Sequence, residues 1–343
     1  MRDEVTRSMA RTLARGLSER SGHPVEVRHL KRHAYTSGSS FAVERLEVAL
    51  GDGRELEVFF KDLDPVNQRE VARRLRTSLR EEGLRELLVY QRLLSRHRLG
   101  TPELYASRWD PRGGRRWLFL EYAGVRRLNG YGGFGHWREA ARWAARFHVL
   151  ARSLPQRSTA FLPRYDERHY LSCVEPAERA LRRLDGDARA LVRKALRAYR
   201  GLAPGLATLP TSVIHGEYFG RNIVVRRRSD TGKIAVVDWE SAAIGPSYLD
   251  LVSLTAGRWT LRQRQAMWDA YADEYERIAG VAIDRGRFRE ELGQLALYSA
   301  IRWLGWWTGG DDIHLERWRR ELELVLREVY APSAALAEGR SAP

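Results

Sequence analysis

The sequence predicts an α+β protein of two lobes: a small antiparallel sheet with one long helix, followed by a larger, mainly helical lobe. Hydrophobic residues alternate with period two in residues 41–63, as they do in strands with one buried face. Strand signals recur in residues 213–238, and amphipathic helical spacing dominates much of the chain after residue 136. Strands that precede a run of helices are typical of α+β folds rather than of alternating α/β folds.

The first lobe is expected to span residues 1–122. An amphipathic helix is predicted over residues 3–20, and strands follow at VEVRHL, FAVERLEVAL and RELEVFFKDL. The second and third strands are joined at Gly51-Asp52-Gly53, which is a strong hairpin signal. Residues 66–98 have helical periodicity, and ELYASRW and RRWLFLEY then complete the sheet.

The second lobe is expected to span residues 123–332, with a disordered tail over residues 333–343. The stretch GYGGFG, residues 130–135, matches the G-x-G-x-x-G pattern of dinucleotide-binding folds. It is followed by successive helices instead of a second parallel strand, so a flexible connection is the better interpretation. Short strands are predicted at SVIH, NIVVRRR and KIAVVDW, and helices return from residue 248 to about 331.

Composition restricts the functional classes. The net charge is +15, with 59 Lys and Arg against 44 Asp and Glu, and acids are interleaved with the arginines. A solvated surface and a surface for an anionic partner both explain this charge. No aromatic-basic platform or recognition-helix signature accompanies it, so no nucleic-acid partner is expected. No apolar run approaches the roughly 20 residues that cross a bilayer, so no membrane association is expected.

The single cysteine, Cys173, excludes an internal disulfide bond and argues against a thiolate zinc site. This cysteine content fits the reducing cytoplasm, which is the expected location. None of these features determines the oligomeric state.

The stretch IHGEYFGRNIVV, residues 214–225, places Glu217 and Asn222 five residues apart, and VVDWE follows after a short hairpin. Neighbouring antiparallel strands bring Asn222 and Asp238 to one end of that hairpin. Transfer of a nucleotide's terminal phosphate requires a carboxylate near the acceptor hydroxyl, oxygen ligands for Mg²⁺ and a cation on the phosphates. The pattern therefore predicts a phosphoryl-transfer site in which Glu217 faces the acceptor and Asn222 and Asp238 hold the metal.

Together, HGEYFGRN, VVDWE and GPSYLDL resemble the motifs of the aminoglycoside phosphotransferase and choline kinase family, a branch of the protein-kinase-like fold. The resemblance covers about residues 25–330 and implies a two-lobed kinase-like architecture. It implies a phosphotransferase that uses ATP or GTP with Mg²⁺ and takes an alcohol group as acceptor. It also implies that His215 supports the catalytic loop by packing and a hydrogen bond, and that Asp250 holds the loop's backbone.

The resemblance further implies a nucleotide site in the first lobe. Lys61, one of only four lysines in the chain, is expected to bind the phosphates. Its expected partner is Glu86, with Glu81 and Glu82 as competitors. The other cofactor-binding residues are expected in a phosphate-covering loop and in a hinge whose backbone reads the purine, and they are Ser37, Gly38, Ser39, Glu121, Tyr122 and Ala123.

Glu217 stands where the family usually has aspartate. The two carboxylic acids have similar pKa values. The extra methylene moves the oxygens by roughly 1.5 Å, and a misplacement of about 1 Å can cost about a hundredfold in rate. Two outcomes stay open: an active enzyme that has adjusted to glutamate, or a catalytically impaired, nucleotide-binding scaffold. The acceptor is also open, between a small molecule or natural product and a Ser or Thr of a peptide.

Three further interpretations stay open at this level. Asp250 is also consistent with an ordinary acid in the first turn of a helix. His148 is best interpreted as a satisfied core residue, although it lies on a helix whose family counterpart carries a histidine. The tryptophans of the last helices are typical of a core, and some of them can also line an acceptor pocket.

Overall fold

The computed structural model of the protein describes residues 2–35, 40–68, 79–97, 99–110, 115–226, 233–305 and 312–330. The chain divides into two compact units, of which the first comprises Met1–Tyr131 and Arg221–Ser241 and the second comprises Gly132–Gly220 and Ala242–Pro343. Residues 221–241, which the sequence analysis assigned to the helical lobe, thus fall in the first unit. The backbone explains this placement, because the N–H of Val225 donates to the carbonyl of Arg126 at 2.7 Å. The predicted tail, residues 333–343, lies outside the described residues.

The described elements up to residue 131 are α1 (Arg2–Ser21), β1 (Val27–Ala34), β2 (Ala42–Leu50), β3 (Glu55–Asp62), α2 (Leu79–Arg92), β4 (Leu104–Asp110), β5 (Arg115–Glu121) and α3 (Leu128–Tyr131). The next elements are α4 (Phe134–Arg152), α5 (Gln156–Thr159), α6 (Glu167–Leu171), α7 (Val174–Leu181), α8 (Gly186–Leu206), β6 (Thr211–Ile214), β7 (Ile223–Val225), β8 (Ile234–Val236) and β9 (Ala243–Pro246). The last are α9 (Tyr248–Thr255), α10 (Leu261–Ala279), α11 (Arg285–Gly305), α12 (Asp312–Leu324) and a π-helix at Val325–Tyr330.

The first unit is built on a five-stranded sheet in the order β1-β2-β3-β5-β4, in which every neighbouring pair is antiparallel. The predicted hairpin between β2 and β3 is confirmed. The N–H of Gly53 donates to the carbonyl of Leu50 at 3.1 Å, and Leu50 donates back to Arg54 at 2.9 Å. Gly53 has φ 86°, a left-handed conformation that glycine adopts without steric cost.

The N-terminal helix α1 packs its apolar stripe on one face of this sheet. Met9, Leu13 and Leu17 recur at helical spacing and join one buried cluster with aromatic residues of the sheet. Gly16 permits the close approach, because a Cβ there would lie 2.4 Å from the carbonyl oxygen of Tyr105 and 2.5 Å from the Cβ of Ala106. The helix predicted over residues 3–20 is therefore an integral part of the first unit.

The long helix predicted over residues 66–98 is shorter where the structure describes it. Helix α2 occupies Leu79–Arg92, with single 3₁₀ turns at Pro65–Asn67 and Leu94–Arg96, while residues 69–78 lie outside the described residues. The second half of α2 is buried around Glu86, which is 1% exposed. A buried carboxylate at this point of a helix requires a charged or hydrogen-bonding partner.

The second unit contains a small strand pair, one strand of which was not predicted from the sequence. The SVIH strand, β6, pairs antiparallel with β9, whereas β7 and β8 form their own hairpin. Strand β9 has the sequence AIGP, which is too short and too rich in turn formers to give a strand signal. It precedes α9 directly and is buried along its whole length.

The stretch GYGGFG is not a phosphate-binding turn between parallel strands, in agreement with its rejection as a dinucleotide fingerprint. Only Gly132 and Gly133 separate α3 from α4, because helical structure extends into both ends of the motif. The remaining helices of the chain follow the prediction, with breaks between α9, α10 and α11. The α+β class is therefore confirmed. Among the described helices, none is long and apolar enough to cross a membrane.

The approach of α1 to β4 makes Gly16 a test of this packing. We expect Gly16→Ala to lower the free energy of unfolding by about 1–3 kcal/mol, because the added methyl group overlaps backbone atoms of β4. Urea denaturation of the full chain measures this change.

Gly201→Ala is the matched control, since it makes the same substitution inside α8. A Cβ at Gly201 meets no atom within 4 Å, and helix propensity alone should raise stability by up to about 1 kcal/mol. Equal effects of the two substitutions would contradict the packing described for α1.

Candidate active site

In the first unit, one buried lysine lies among three carboxylates. The Lys61 ammonium on β3 is 2.6 Å from Oε2 of Glu86 on α2 and 2.6 Å from Oδ1 of Asp238. Oε2 of Glu240 lies 3.9 Å away. The predicted pairing of Lys61 with Glu86 is therefore present. The sequence analysis gave Glu240 no role, although it stands in the VVDWE motif.

The electrostatics of this cluster keep the lysine charged. Burial is the largest influence on the pKa of Lys61 and opposes its charge, but the charges of Asp238, Glu86 and Glu240 together raise that pKa above its usual value. Burial also raises the pKa of Glu86, against the attraction of Lys61. With all three acids ionised, the cluster carries two more negative charges than positive ones. Such a cluster attracts a further cation.

Hydrogen bonds fix the segment that carries Asp238 and Glu240. Oε1 of Glu86 accepts the backbone N–H of Trp239 at 3.2 Å, and the hydroxyl of Ser40 donates to Oε1 of Glu240 at 2.8 Å. Asp238 has φ 70°, and among the described residues it is the one non-glycine residue with positive φ. A left-handed conformation of this kind costs about 1–3 kcal/mol and is held by its surroundings.

Asn222 and Asp238 lie at the open end of the β7–β8 hairpin. The N–H of Val237 donates to the backbone carbonyl of Asn222 at 2.9 Å, one position beyond the last strand pair. The side chain of Asp238 is 28% exposed, whereas those of Lys61 and Glu86 are 3% and 2% exposed. Asp238 is thus the acid of this group with accessible oxygen. A carboxylate and a side-chain amide, as Asp238 and Asn222 supply, are oxygen ligands of the kind that Mg²⁺ prefers.

Carboxylate oxygens of Glu86, Asp238 and Glu240 also lie within 4.8 Å of one another, which is a spacing that can hold a metal ion. In the structure the Lys61 ammonium stands next to these oxygens. The donor set therefore fits a divalent cation in chemistry and in charge.

The hinge residues follow the end of β5. The backbone N–H of Glu121 donates to Glu103 at 2.8 Å, and that of Tyr122 donates to Glu57 at 3.3 Å. No described hydrogen bond engages the N–H of Ala123. The other nucleotide residues predicted from the motif, Ser37, Gly38 and Ser39, lie outside the described residues.

Arg226 was not identified from the sequence, although it organises the hinge. Its guanidinium is 7% exposed and forms an ion pair with the carboxylate of Glu121. Burial opposes the charge of Glu121, but the hydrogen bond and the charge of Arg226 outweigh it and lower the pKa of that carboxyl. The two residues are 105 positions apart, so no local pattern reveals the pair.

In the second unit, Asp250 holds the backbone of the loop that follows β6. Its Oδ2 accepts the N–H of His215 at 2.7 Å, and its Oδ1 accepts the N–H of Gly216 at 3.0 Å. Gly216 has φ 81°, which makes a sharp turn directly before Glu217. The contact that the resemblance implied for Asp250 is present. Asp250 is 1% exposed, unlike an ordinary acid in the first turn of a surface helix.

Two buried histidines support this loop. Nδ1 of His215 accepts the backbone N–H of Glu217 at 3.3 Å. His148 on α4 lies 3.2 Å from Oδ2 of Asp250 through Nε2 and 2.9 Å from the hydroxyl of Tyr271 through Nδ1. Both rings are fully buried. His148 is thus a satisfied core residue that also positions Asp250, a link that the sequence did not show.

Glu217 itself is 3% exposed. The loop backbone is held by hydrogen bonds both before and after this residue. Its carbonyl accepts the N–H of Phe219 at 2.7 Å, and the next residue, Tyr218, donates its hydroxyl to the carbonyl of Ala140 at 2.8 Å. The loop therefore has a defined conformation around the carboxylate that the motif predicts to face an acceptor.

Asp250 provides a test of this loop. An asparagine retains only one side-chain oxygen, so Asp250→Asn leaves one of the two backbone donors without its acceptor. We expect the free energy of unfolding to fall by about 1–3 kcal/mol. Hydrogen–deuterium exchange at His215 and Gly216 should accelerate more than exchange elsewhere in the second unit.

Asp269→Asn provides the control, because Asp269 is an exposed acid on α10. It should change stability by less than about 0.5 kcal/mol. Unaltered exchange at residues 215–216 in Asp250→Asn would show that this carboxylate does not hold the loop.

Solved structures that resemble this chain include phosphotransferases and a kinase family protein. Aminoglycoside 2'-phosphotransferase-IIIa, in its GDP complex, is 13% identical, with a TM-score of 0.58 over 88% of this chain and 93% of its own. A choline/ethanolamine kinase family protein from Mesorhizobium loti is 14% identical, with a TM-score of 0.54 over 87% of this chain and 88% of its own. Spectinomycin phosphotransferase, in complex with ADP and spectinomycin, is 9% identical, with a TM-score of 0.54 over 88% of this chain and 93% of its own. These similarities confirm the protein-kinase-like fold.

Sequence comparison gives the family. A search against curated proteins finds no significant match. The model of the phosphotransferase enzyme family, however, matches residues 47–289, which is more than half of the chain and includes every motif from Lys61 to Asp250. The resemblance carried by HGEYFGRN, VVDWE and GPSYLDL is thereby confirmed, and the chain belongs to the phosphotransferase enzyme family.

Proposed function

We propose that this phosphotransferase moves the γ-phosphate of ATP or GTP to a hydroxyl group of a small molecule or natural product. The observation that carries the proposal is the Lys61 ammonium held by two carboxylates at 2.6 Å, one of which is the partly exposed Asp238. Burying several charges together is costly for stability, and such groups are concentrated at functional sites. A phosphate-binding lysine beside a metal-binding aspartate explains why this arrangement is retained.

In this proposal the first unit binds the nucleotide. Lys61 contacts phosphate oxygens, and Glu86 keeps its ammonium in place. The backbone at Glu121–Ala123 reads the purine edge, with the N–H of Ala123 as donor, because the N–H groups of Glu121 and Tyr122 are already engaged. Relatives crystallised with GDP and with ADP support a nucleotide as donor, and either base is compatible with this hinge.

Asn222 and Asp238 would hold Mg²⁺ in this proposal. When bound, the ion supplies charge neutralisation on the phosphate oxygens as the phosphoryl group is transferred. The contribution of the chain is to present an amide oxygen and a carboxylate from the open end of one hairpin. Trp239, bonded to Glu86, keeps Asp238 in its left-handed conformation.

Glu217 orients the acceptor hydroxyl and accepts its proton in this proposal. Asp250 accepts the backbone N–H groups of His215 and Gly216, so the chain directly before Glu217 is held in place. A small-molecule acceptor is favoured over a peptide, because the relatives named above are aminoglycoside and spectinomycin phosphotransferases and a choline/ethanolamine kinase family protein. The cytoplasm is the proposed site of the reaction, in keeping with one buried free cysteine.

Asp238→Ala tests the metal assignment. We expect it to abolish Mg²⁺-dependent phosphate transfer, with a loss of at least about a thousandfold, because the accessible carboxylate of the site is removed. The measurement is transfer from γ-labelled nucleotide to the best acceptor in a panel of alcohols. Asp269→Ala, on the exposed face of α10, serves as the control and should transfer at the wild-type rate. Turnover that survives in Asp238→Ala would refute the metal site.

Substitutions at Glu217 distinguish an active enzyme from a catalytically impaired scaffold. In an enzyme adjusted to glutamate, Glu217→Asp should lower kcat by about a hundredfold, since the carboxylate retreats by one methylene. Glu217→Gln should lower kcat by about 10²–10⁴-fold, since the base is lost. Nucleotide affinity should stay within about threefold in both variants, as measured by calorimetry. A rise in transfer on Glu217→Asp would instead support the scaffold interpretation.

A further inference from the structure

A polar groove lies between α1 and the edge strand β4 of the first unit, apart from the Lys61 cluster. Its volume is about 620 Å³, within the range of small-molecule sites. Helix α1 lines it with Ser8, Arg11, Thr12 and Arg15, whose spacing places them on one stripe of the helix. Strand β4 lines it with residues 107–110. The groove is thus formed by two elements that Gly16 holds in close contact.

Two guanidinium groups converge on one buried hydroxyl in this groove. Oγ of Ser8, a residue that is 6% exposed, accepts from Nη1 of Arg108 at 3.0 Å and from Nη1 of Arg115 at 3.4 Å. The Trp117 ring supports both guanidiniums, at 5.5 Å from Arg108 and 5.3 Å from Arg115. The cations are therefore held in place without a ligand.

Few described acids balance this charge. Asp110 lies 3.4 Å from Arg108, and Glu19 lies 3.8 Å from Arg15 at the exposed surface. Within the described part of the chain, no carboxylate lies within 4.0 Å of Arg11 or Arg115. Four guanidiniums and two carboxylates leave a surplus of two positive charges, which is opposite in sign and similar in magnitude to the charge of about −1.5 to −2 on a phosphate monoester at neutral pH.

We propose that this groove binds a phosphate-bearing metabolite, with its phosphate oxygens on Arg11, Arg108 and Arg115. Guanidinium forks match phosphate oxygens in a bidentate manner, and the hydroxyl of Ser8 orients two of the forks. The proposal does not depend on the phosphotransferase activity or on its acceptor. It assigns part of the surplus positive charge of the chain to a specific anion site rather than to a solvated surface.

Pyrophosphate binding to the full chain, measured by calorimetry in Mg²⁺-free buffer, tests this site. The double variant Arg11→Gln/Arg115→Gln should bind pyrophosphate at least about tenfold more weakly, because it removes charge-assisted hydrogen bonds to the phosphate oxygens. Hydrogen–deuterium exchange of the wild-type chain should show protection by pyrophosphate in residues 8–15 and 107–110. Protection confined to residues outside these two segments would overturn the proposal, as would the absence of binding.

A matched double variant controls for the loss of two positive charges. Arg7→Gln/Arg28→Gln removes two exposed arginines that do not line the groove, one on α1 and one on β1. It should bind pyrophosphate with an affinity within about twofold of that of the wild-type chain. Equal weakening in the two Gln double variants would show that net charge attracts pyrophosphate without a specific site, and would overturn the proposal. Arg11→Lys/Arg115→Lys keeps the charge and loses the forks, so it should also bind more weakly if the groove recognises phosphate by geometry. Wild-type affinity in both groove variants would overturn the proposal.

Discussion

The first unit is organised around one buried ammonium group. Lys61 stands on a central strand, Glu86 on a helix packed beside it, and Asp238 and Glu240 on the segment after a hairpin that lies more than 170 residues further along the chain. Glu86 and Glu240 without the lysine would be buried charges that lack their counterion, and burial without the acids would lower the pKa of Lys61. The four charged groups therefore depend on one another. Their contacts bring β3, α2 and the segment after β8 together.

Backbone geometry is set by carboxylates throughout the candidate site. Glu86 accepts the N–H that follows Asp238, and Asp250 accepts the two N–H groups that precede Glu217. Both segments contain a residue with positive φ at the point of attachment, Asp238 in one case and Gly216 in the other. Hydrogen bonds between a charged acceptor and backbone N–H groups are stronger than neutral ones, so they can hold such conformations. Asp238 and Glu217 thus lie on segments whose backbone is held by these hydrogen bonds.

The presence of glutamate rather than aspartate at position 217 matters because the loop backbone is held in place. A mobile loop absorbs an extra methylene by shifting its backbone, whereas a loop bonded at both ends passes the displacement on to the carboxylate. If Glu217 acts as proposed, the position of its carboxylate determines where an acceptor hydroxyl is oriented. This acid is nearly completely buried.

Local patterns of the sequence were sufficient for the class of the fold, for the β2–β3 hairpin and for the motifs that identify the family, because alternation, turn residues and short motifs are encoded within a few neighbouring positions. The family resemblance suggested the pair of Lys61 and Glu86, and the structure places the two side chains 2.6 Å apart. The pairing of β6 with β9, the ion pair of Arg226 with Glu121 and the position of Glu240 beside Lys61 were decided by tertiary structure alone. The same holds for the groove between α1 and β4, in which Arg108 and Arg115, from two different strands, meet at Ser8 of the helix. The physical reason is that an ion pair or a groove depends on distances across the folded chain, and residues about 100 positions apart leave no shared period in the sequence.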